Sequence, residues 1–221
     1  MNMKLDTRTV LLSAALLAFI VLPLCIYALG DVPRRSALKE SISVITLLAF
    51  FLMLGQFFLA RSNEAVISHF KRRNIQLFHK YLAYTVLFLF LIHPLLVVFP
   101  RFFEAGVAPA DALLIMLTSV DNLGVLLGEI AWLLMLCVGL TALFRRRLIT
   151  RLHIDYRQWR YFHGYLTIAF VGLAIWHAIQ TGRHTNEWMG AWMIALAASG
   201  AALLFRMYAS TATTSSGAKQ S

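Results

Sequence analysis

Four of the seven histidines in this 221-residue chain share one local pattern that occurs twice. In both places an aromatic residue precedes a histidine, tyrosine and leucine follow at the second and third positions after it, and another histidine comes 14 residues after the first. The first segment contains His79 and His93, and the second contains His163 and His177. Imidazole nitrogens are common metal ligands, so the pattern indicates paired ligand sites.

The separation of 14 residues has a geometric meaning in an α-helix. Fourteen residues turn through about 1,400°, about 40° short of four full turns, so both histidines of a segment project from nearly one face. The same residues rise about 21 Å along the helix axis. One histidine of each segment therefore lies near each side of an apolar layer about 30 Å thick.

Two such helices running side by side in the same direction would pair their histidines at two levels. His79 would then face His163, and His93 would face His177. Each pair can hold one iron from opposite axial sides, as in a six-coordinate electron-transfer heme. A single histidine in a membrane helix is more often a hydrogen-bond partner of another helix, but four with a repeated spacing favour ligation. The sequence predicts two stacked b hemes that form an electron relay.

The remaining histidines and both cysteines fit simpler roles. His69, His153 and His184 fall in predicted connections, where we expect solvated surface positions, although His184 could line an acceptor site. Cys25 and Cys137 lie in apolar runs and form no CxxC motif. We expect both cysteines to pack in the interior without a disulfide framework.

The composition indicates a membrane protein. Apolar residues make up 60% of the chain and charged residues only 14%, whereas soluble domains carry roughly 25% charged residues. The formal net charge is +10. In a soluble protein this would suggest nucleic acid, but in an apolar chain we interpret the basic residues as topology signals in loops and expect no nucleic-acid partner.

Nearly uncharged stretches predict an all-α bundle of six transmembrane helices embedded in membrane lipid. Each stretch is long enough to cross a hydrocarbon core. The third begins a turn or two before residue 81, and the fourth contains Glu129, which either marks a boundary, bonds a neighbouring helix or carries protons. A shorter apolar stretch at 110–120 predicts an interfacial helix. The predicted spans cover residues 9–30, 41–60, 81–100, 122–144, 161–182 and 188–205.

The basic residues also predict the orientation. With the N-terminus inside, 14 lysines and arginines fall in inside segments and five in outside segments. The positive-inside rule then places both termini in the cytoplasm of a multi-pass protein of the bacterial inner membrane. We expect one domain over residues 1–208 and a small, polar, disordered tail over 209–221.

Two segments resemble those of a known family. Residues 74–82 with His93-Pro94-Leu95-Leu96 resemble the third helix of the ferric reductase-like transmembrane domain, and residues 156–163 with His177 resemble its fifth helix. That superfamily includes ferric reductases, NADPH oxidases and the heme-binding membrane subunit of a bacterial methionine sulfoxide reductase system. The resemblance implies a six-helix bundle whose b-type hemes move electrons from the cytoplasmic side outward.

The resemblance also has a clear limit. Ferric reductases and NADPH oxidases usually continue into a flavin and nicotinamide domain, but this chain contains no GxGxxG motif and no inside connection large enough for a nucleotide. We therefore expect no flavin or nicotinamide site, and a separate cytoplasmic flavin reductase or membrane quinol as donor. The acceptor would be a ferric chelate, oxygen or a periplasmic protein. The methionine sulfoxide reductase subunit is the alternative within the family, since it also lacks a flavin domain.

Basic residues near the inner pair are candidates for holding anionic heme propionates. Lys80 is the first candidate, because it follows His79 directly at a span boundary, and Arg73 and Arg160 are further candidates. Each could instead be a plain topology charge. The Arg145–Arg147 run could touch anionic lipid or an acidic partner protein.

Two function classes other than electron transfer stay open at this point. A heme or metal transporter would use the histidines as transient ligands, and transporters often have broken helices at mid-membrane. Pro94 interrupts one ligand helix and could tilt His93 toward its heme. A structural subunit without any cofactor is the third class.

Overall fold

The computed structural model describes residues 6–60 and 63–217, and side chains up to residue 209. Over these ranges the chain is helical, with no strand. The helices are α1 (Thr7–Leu16), α2 (Leu22–Leu29), α3 (Ala37–Phe58), α4 (Glu64–His69), α5 (Arg72–Leu91), α6 (His93–Val98), α7 (Pro109–Thr118), α8 (Leu123–Leu143), α9 (Arg145–Leu152), α10 (Tyr156–Thr181) and α11 (Glu187–Gly217). A π-helical turn, Leu17–Val21, joins α1 to α2, and a 3-10 turn, Phe99–Phe103, follows α6.

Five helical stretches among the described residues are long and apolar enough to cross a membrane. They are Thr7–Leu29, α3, α8, α10 and the Glu187–Ala209 part of α11. The pair Arg72–Leu91 and His93–Phe103 is bent by 46° and makes a sixth span when counted as one. The predicted all-α transmembrane bundle is confirmed, whereas the orientation of its termini stays a prediction.

Alternating spans give the bundle two ends. The terminal end holds the start of α1 and the end of α11, together with the short helices α4 and α9. The far end holds the 3-10 turn and α7, which lies where the sequence predicts an interfacial helix. Under the predicted orientation the terminal end is cytoplasmic.

Two helices, α5 and α11, extend well beyond their predicted spans. Helix α11 is continuous through Gly217, past residue 205 where the sixth predicted span ends, and the disorder of residues 209–221 stays a prediction. Adding residues to an existing helix forms one hydrogen bond per residue fixed, so α11 continues into its polar end. Residues 218–221 lie outside the described part of the chain. At the same end of the bundle, α5 starts at Arg72, more than two turns before residue 81.

Helix α3 occupies the centre of the core. Its Phe51 and Leu54 are fully buried, as are Met189 and Met193 of α11. Helix α3 packs against α5 and α11, while α10 packs against α8 and α11. Aromatic and methionine side chains fill the space because their shapes adapt to crossing helices.

A proline causes the break between α5 and α6. Pro94 has no N–H, so the carbonyl of Phe90, four residues earlier, loses its helical partner. The indole N–H of Trp132 on α8 donates to this carbonyl at 3.1 Å. A backbone carbonyl in hydrocarbon needs such a partner, and the bond joins α8 to the bend.

The same arrangement occurs in the first span. Leu22 N–H donates to the carbonyl of Leu17, five residues earlier, in the π-helical turn. In that register the carbonyl of Ala18 would pair with Pro23, which has no N–H. The indole N–H of Trp192 on α11 donates to Ala18 at 2.9 Å instead. At both proline sites, the carbonyl that lacks its helical partner thus accepts a hydrogen bond from a tryptophan of a neighbouring helix.

Replacing Trp132 with Phe tests this interpretation. The variant keeps an aromatic ring but leaves the Phe90 carbonyl unpaired, so we expect a loss of about 1 kcal/mol in stability. Thermal unfolding of the detergent-solubilised protein measures the change. Trp188→Phe is the matched control, because Trp188 is 77% exposed. Equal melting temperatures for the two variants would contradict a role for the indole bond.

Candidate functional site

The inner histidine pair lies at the terminal end of the bundle. His79 is at the start of the third turn of α5, and His163 is at the same position in α10. The two imidazoles are close enough for a charge on one to act on the other. Asp155 and Gln158 form a reciprocal capping box, with Gln158 N–H donating to Asp155 at 2.7 Å. This cap fixes where α10 begins and hence the height of His163.

The outer pair lies at the far end. His93 is the first residue of α6, directly after the proline break, and His177 is near the end of α10. These two rings also lie within electrostatic range of each other. Within continuous α10 the two histidines are about 21 Å apart along the axis. The structure therefore forms the two pairs that the spacing predicts, and their role as ligands stays a prediction.

Three of the four rings have a nitrogen without a partner. The Nδ1 atoms of His79, His93 and His163 are buried and make no hydrogen bond. A buried polar atom left unpaired costs about 1–3 kcal/mol, so such atoms are uncommon outside functional sites. Three of them at two levels of one bundle fit rings that serve as ligands better than rings that serve as packing.

His177 is held differently. Its Nδ1 lies 2.8 Å from the backbone carbonyl of Gly124 on α8. A carbonyl only accepts hydrogen bonds, so Nδ1 carries the proton and Nε2 keeps a free lone pair. Backbone carbonyls commonly orient metal-ligating histidines in this way. The ring of His177 is thus prepared to ligate through Nε2.

Two glycines of α8 make room for this ring. A Cβ at Gly128 would collide with the imidazole of His177, and a Cβ at Gly124 would approach Thr181 to 2.7 Å. Neither glycine was singled out from the sequence. Their four-residue separation is a small-xxx-small pattern, which lets membrane helices approach closely. This pattern is the feature of the sequence from which a close approach at these glycines could be predicted.

The space between α5 and α10 suits a flat group. Helix α8 packs extensively against α10 and also touches α5, whereas direct backbone contact between α5 and α10 is slight over their described lengths. No three His, Cys, Asp or Glu side chains gather as a metal site in residues 6–60 and 63–217. Each site therefore offers two nitrogens, which is enough for an iron whose other ligands come from a macrocycle. A zinc ion held by the protein alone would need three or four protein ligands.

The three basic candidates have different surroundings. Arg160 has its Nε buried without a hydrogen-bond partner, which suits a side chain that holds an anion. Lys80 is exposed, and its Nζ lies 5.8 Å and 5.6 Å from the ring centroids of Tyr81 and Tyr84. Arg73 is exposed in the first turn of α5. All three roles stay predictions, and the structure favours Arg160.

Two further polar side chains face the interior. Both amide atoms of Gln56 on α3 are buried without a partner, and its backbone carbonyl lies beside the ring of His79. One carboxylate oxygen of Glu129 on α8 is likewise buried and unpaired. Glu129 lies less than two turns after Leu123 at the outer end of α8, so it is within this helix. Gln56 was not identified from the sequence.

His184 is not the solvated surface residue that the sequence predicts. Its side chain is only 9% exposed, its ring centroid lies 4.5 Å from that of Tyr27 with the planes tilted by 45°, and its Nε2 lies 3.4 Å from Glu40. The Tyr27 hydroxyl donates to the same carboxylate, and Arg35 donates to it through its backbone N–H at 3.1 Å. Burial lowers the pKa of His184, although the Glu40 charge opposes this. The sequence does not reveal this cluster, because Tyr27, Glu40 and His184 come from segments that are far apart in the chain.

Comparison with known proteins places the chain in a family. The sequence model of the family described as "Ferric reductase like transmembrane component" matches residues 45–174. The chain belongs to the ferric reductase-like transmembrane family. An uncharacterized protein of Archaeoglobus fulgidus is 34% identical to it over 164 residues, which cover 74% of this chain and 87% of that protein. No solved structure matched the chain.

Membership in the ferric reductase-like family agrees with the geometry. The matched residues run from α3 into α10 and include His79, His93 and His163, while His177 follows three residues later. The family is generally associated with heme. It supports an integral, multi-pass membrane protein with a role in transmembrane electron transfer and an oxidoreductase-type activity.

Gly128→Ala tests the contact between α8 and His177. The added methyl group would force the His177 ring or α8 to move, so we expect a loss of about 1–3 kcal/mol in stability. Thermal unfolding in detergent measures it. Gly172→Ala is the control, since a Cβ there meets nothing within 4 Å. If both variants melt together with the parent protein, the close approach at Gly128 is not required.

Proposed function

We propose that this ferric reductase-like protein is a membrane electron-transfer subunit that binds two b-type hemes. His79 and His163 would hold the inner heme, and His93 and His177 the outer heme. The observation that supports this most is that two histidine pairs lie at two levels of one bundle, between helices whose direct backbone contact is slight. Heme at each level would supply an iron that takes up and releases one electron at a time.

The protein's own residues would orient the ligands and exclude water. The Gly124 carbonyl fixes the tautomer of His177, and the break at Pro94 sets the direction of His93. The ring of Phe90 stands edge-on to that of His93, with centroids 6.5 Å apart. Apolar and aromatic neighbours of this kind keep the site dry, which tunes the potential of a bound iron.

Basic groups would bind the propionates at the terminal end. The buried, unpaired Nε of Arg160 is the best placed donor, and charge-assisted hydrogen bonds to a carboxylate are the stronger kind. Arg73 and Lys80 could contribute by moving their exposed side chains inward.

We further propose the direction and the partners. Electrons would pass from a separate cytoplasmic flavin reductase or membrane quinol at the terminal end to an acceptor at the far end. Family membership supports ferric chelates as acceptors. A periplasmic methionine sulfoxide reductase is the alternative acceptor, since the heme-binding subunit of that system resembles this chain.

Optical spectroscopy of the purified protein tests the heme assignment. We expect two b hemes per chain by pyridine hemochrome, because there are two ligand pairs. His79→Ala and His163→Ala should each lose one and the same heme, since they remove ligands of one site. His93→Ala and His177→Ala should each lose the other. Reduced-minus-oxidised spectra distinguish the two losses.

His69→Ala and His153→Ala are the matched controls. His153 is exposed at the end of α9, and His69 closes the short helix α4. Both variants should keep two hemes. Well-folded protein that binds no heme, or His→Ala losses that do not group by pair, would refute the proposed function.

A further inference from the structure

Three rings stack along one face of α10, from its first residue to the inner pair. Tyr156, Trp159 and His163 are spaced three and four residues apart, so they share one helix face. The rings of Tyr156 and Trp159 are 5.8 Å apart at 21°, and those of Trp159 and His163 are 5.1 Å apart at 20°. The series is therefore stacked nearly parallel rather than edge-to-face.

The stack begins at the surface and ends in the interior. Tyr156 is 45% exposed, Trp159 only 7%, and the Nδ1 atom of His163 is buried. The capping box of Asp155 and Gln158 fixes the first turn of α10, so the exposed ring is held at a defined place on the terminal end. An aromatic path thus connects the surface to one ligand of the inner pair.

Arg145 covers the stack from α9. Its guanidinium carbon lies 5.5 Å from the ring centroid of Tyr156 and 5.3 Å from that of Trp159. Its charge also reaches His163. The neighbouring Arg146 and Arg147 are exposed and extend the positive charge over the surface.

Trp159 differs from the two tryptophans that join helices. Trp132 and Trp192 each donate their indole N–H to a neighbouring carbonyl. The N–H of Trp159 is buried and makes no hydrogen bond, although a buried tryptophan usually finds a partner for it. Its contacts are made through the ring faces, so the ring rather than the N–H explains a tryptophan at this position.

We propose that the stack of Tyr156, Trp159 and His163, covered by Arg145, is the route by which an anionic donor passes electrons to the inner heme. The inference rests on the proposed function. In each transfer the donor loses one electron and one ferric iron becomes ferrous, while no bond in the protein forms or breaks. The aromatic rings shorten the gap between donor and iron, and electron tunnelling slows steeply with that gap. The arginines attract the donor.

Stopped-flow reduction with two donors of opposite charge tests both parts of the route. Dithionite supplies the sulfur dioxide radical anion, which gives one electron and becomes sulfur dioxide. Reduced methyl viologen is a radical cation that becomes a dication. The parent protein and every variant in this experiment also carry His93→Ala, which should remove the outer heme. The optical change then reports the inner heme alone. Heme content, spectrum and midpoint potential are measured before the rates.

The variants separate the effect of the aromatic ring on the reduction rate from the effect of the positive charge. Trp159→Leu removes the central ring and should slow both donors severalfold, because the electron must then cross a wider gap. Trp159→Phe keeps a ring and should restore the rate. Arg145→Gln should slow dithionite about tenfold and should speed methyl viologen, because the same positive charge repels a cationic donor. Tyr81→Leu is the control, an exposed tyrosine near His79 outside the stack.

The outcomes distinguish a failure of the proposed electron route from a failure of the proposed function. Absence of heme in the His93→Ala protein counts against the proposed function. Normal heme with unchanged rates in Trp159→Leu overturns the route, as does a Trp159→Phe variant that is as slow as Trp159→Leu.

If Trp159→Leu does not fold, Tyr156→Leu at the exposed end of the stack replaces it, and unchanged rates there overturn the route equally. Slowing by Arg145→Gln with both donors would show that this residue acts on the heme or on lipid rather than on donor charge.

Discussion

The need to satisfy every backbone carbonyl inside an apolar layer determines how this bundle is joined. Prolines interrupt two spans, and each leaves one carbonyl without its helical partner. Indole N–H groups from other helices complete both: Trp132 for Phe90 and Trp192 for Ala18. The first of these bonds lies directly before His93, so the position of His93 depends on α8 as well as on its own helix.

Helix α8 also determines the geometry of the facing ligand, although it contributes no histidine. Gly124 offers its carbonyl to Nδ1 of His177, and Gly128 leaves room for the ring. Together with Trp132 these residues hold both members of the outer pair from one helix. The continuous helix α10 then fixes the distance between the two levels, because it carries His163 and His177 without a break.

Much of this architecture could be predicted from sequence because it depends on local properties. Span lengths follow from uncharged stretches, and the levels of the histidines follow from helical rise. What could not be predicted depends on partners far apart in sequence. Trp132 and Phe90 are 42 residues apart, and His177 and Gly124 are 53 residues apart. His184 was misjudged for the same reason, because its partner Glu40 comes from another span.

The two histidine pairs have different electrostatic surroundings, and this bears on how electrons would be shared between hemes at the proposed sites. The charge of Arg145 reaches His163, and a nearby cation favours the reduced iron, which carries one positive charge fewer. At the far end the carbonyl bonded to His177 makes that imidazole a better donor and so favours the oxidised iron. The residues around the inner pair would therefore favour a higher reduction potential of a heme bound there than those around the outer pair. In such a relay the acceptor at the far end drives outward flow, and the basic terminal end keeps the inner site ready to take up the next electron.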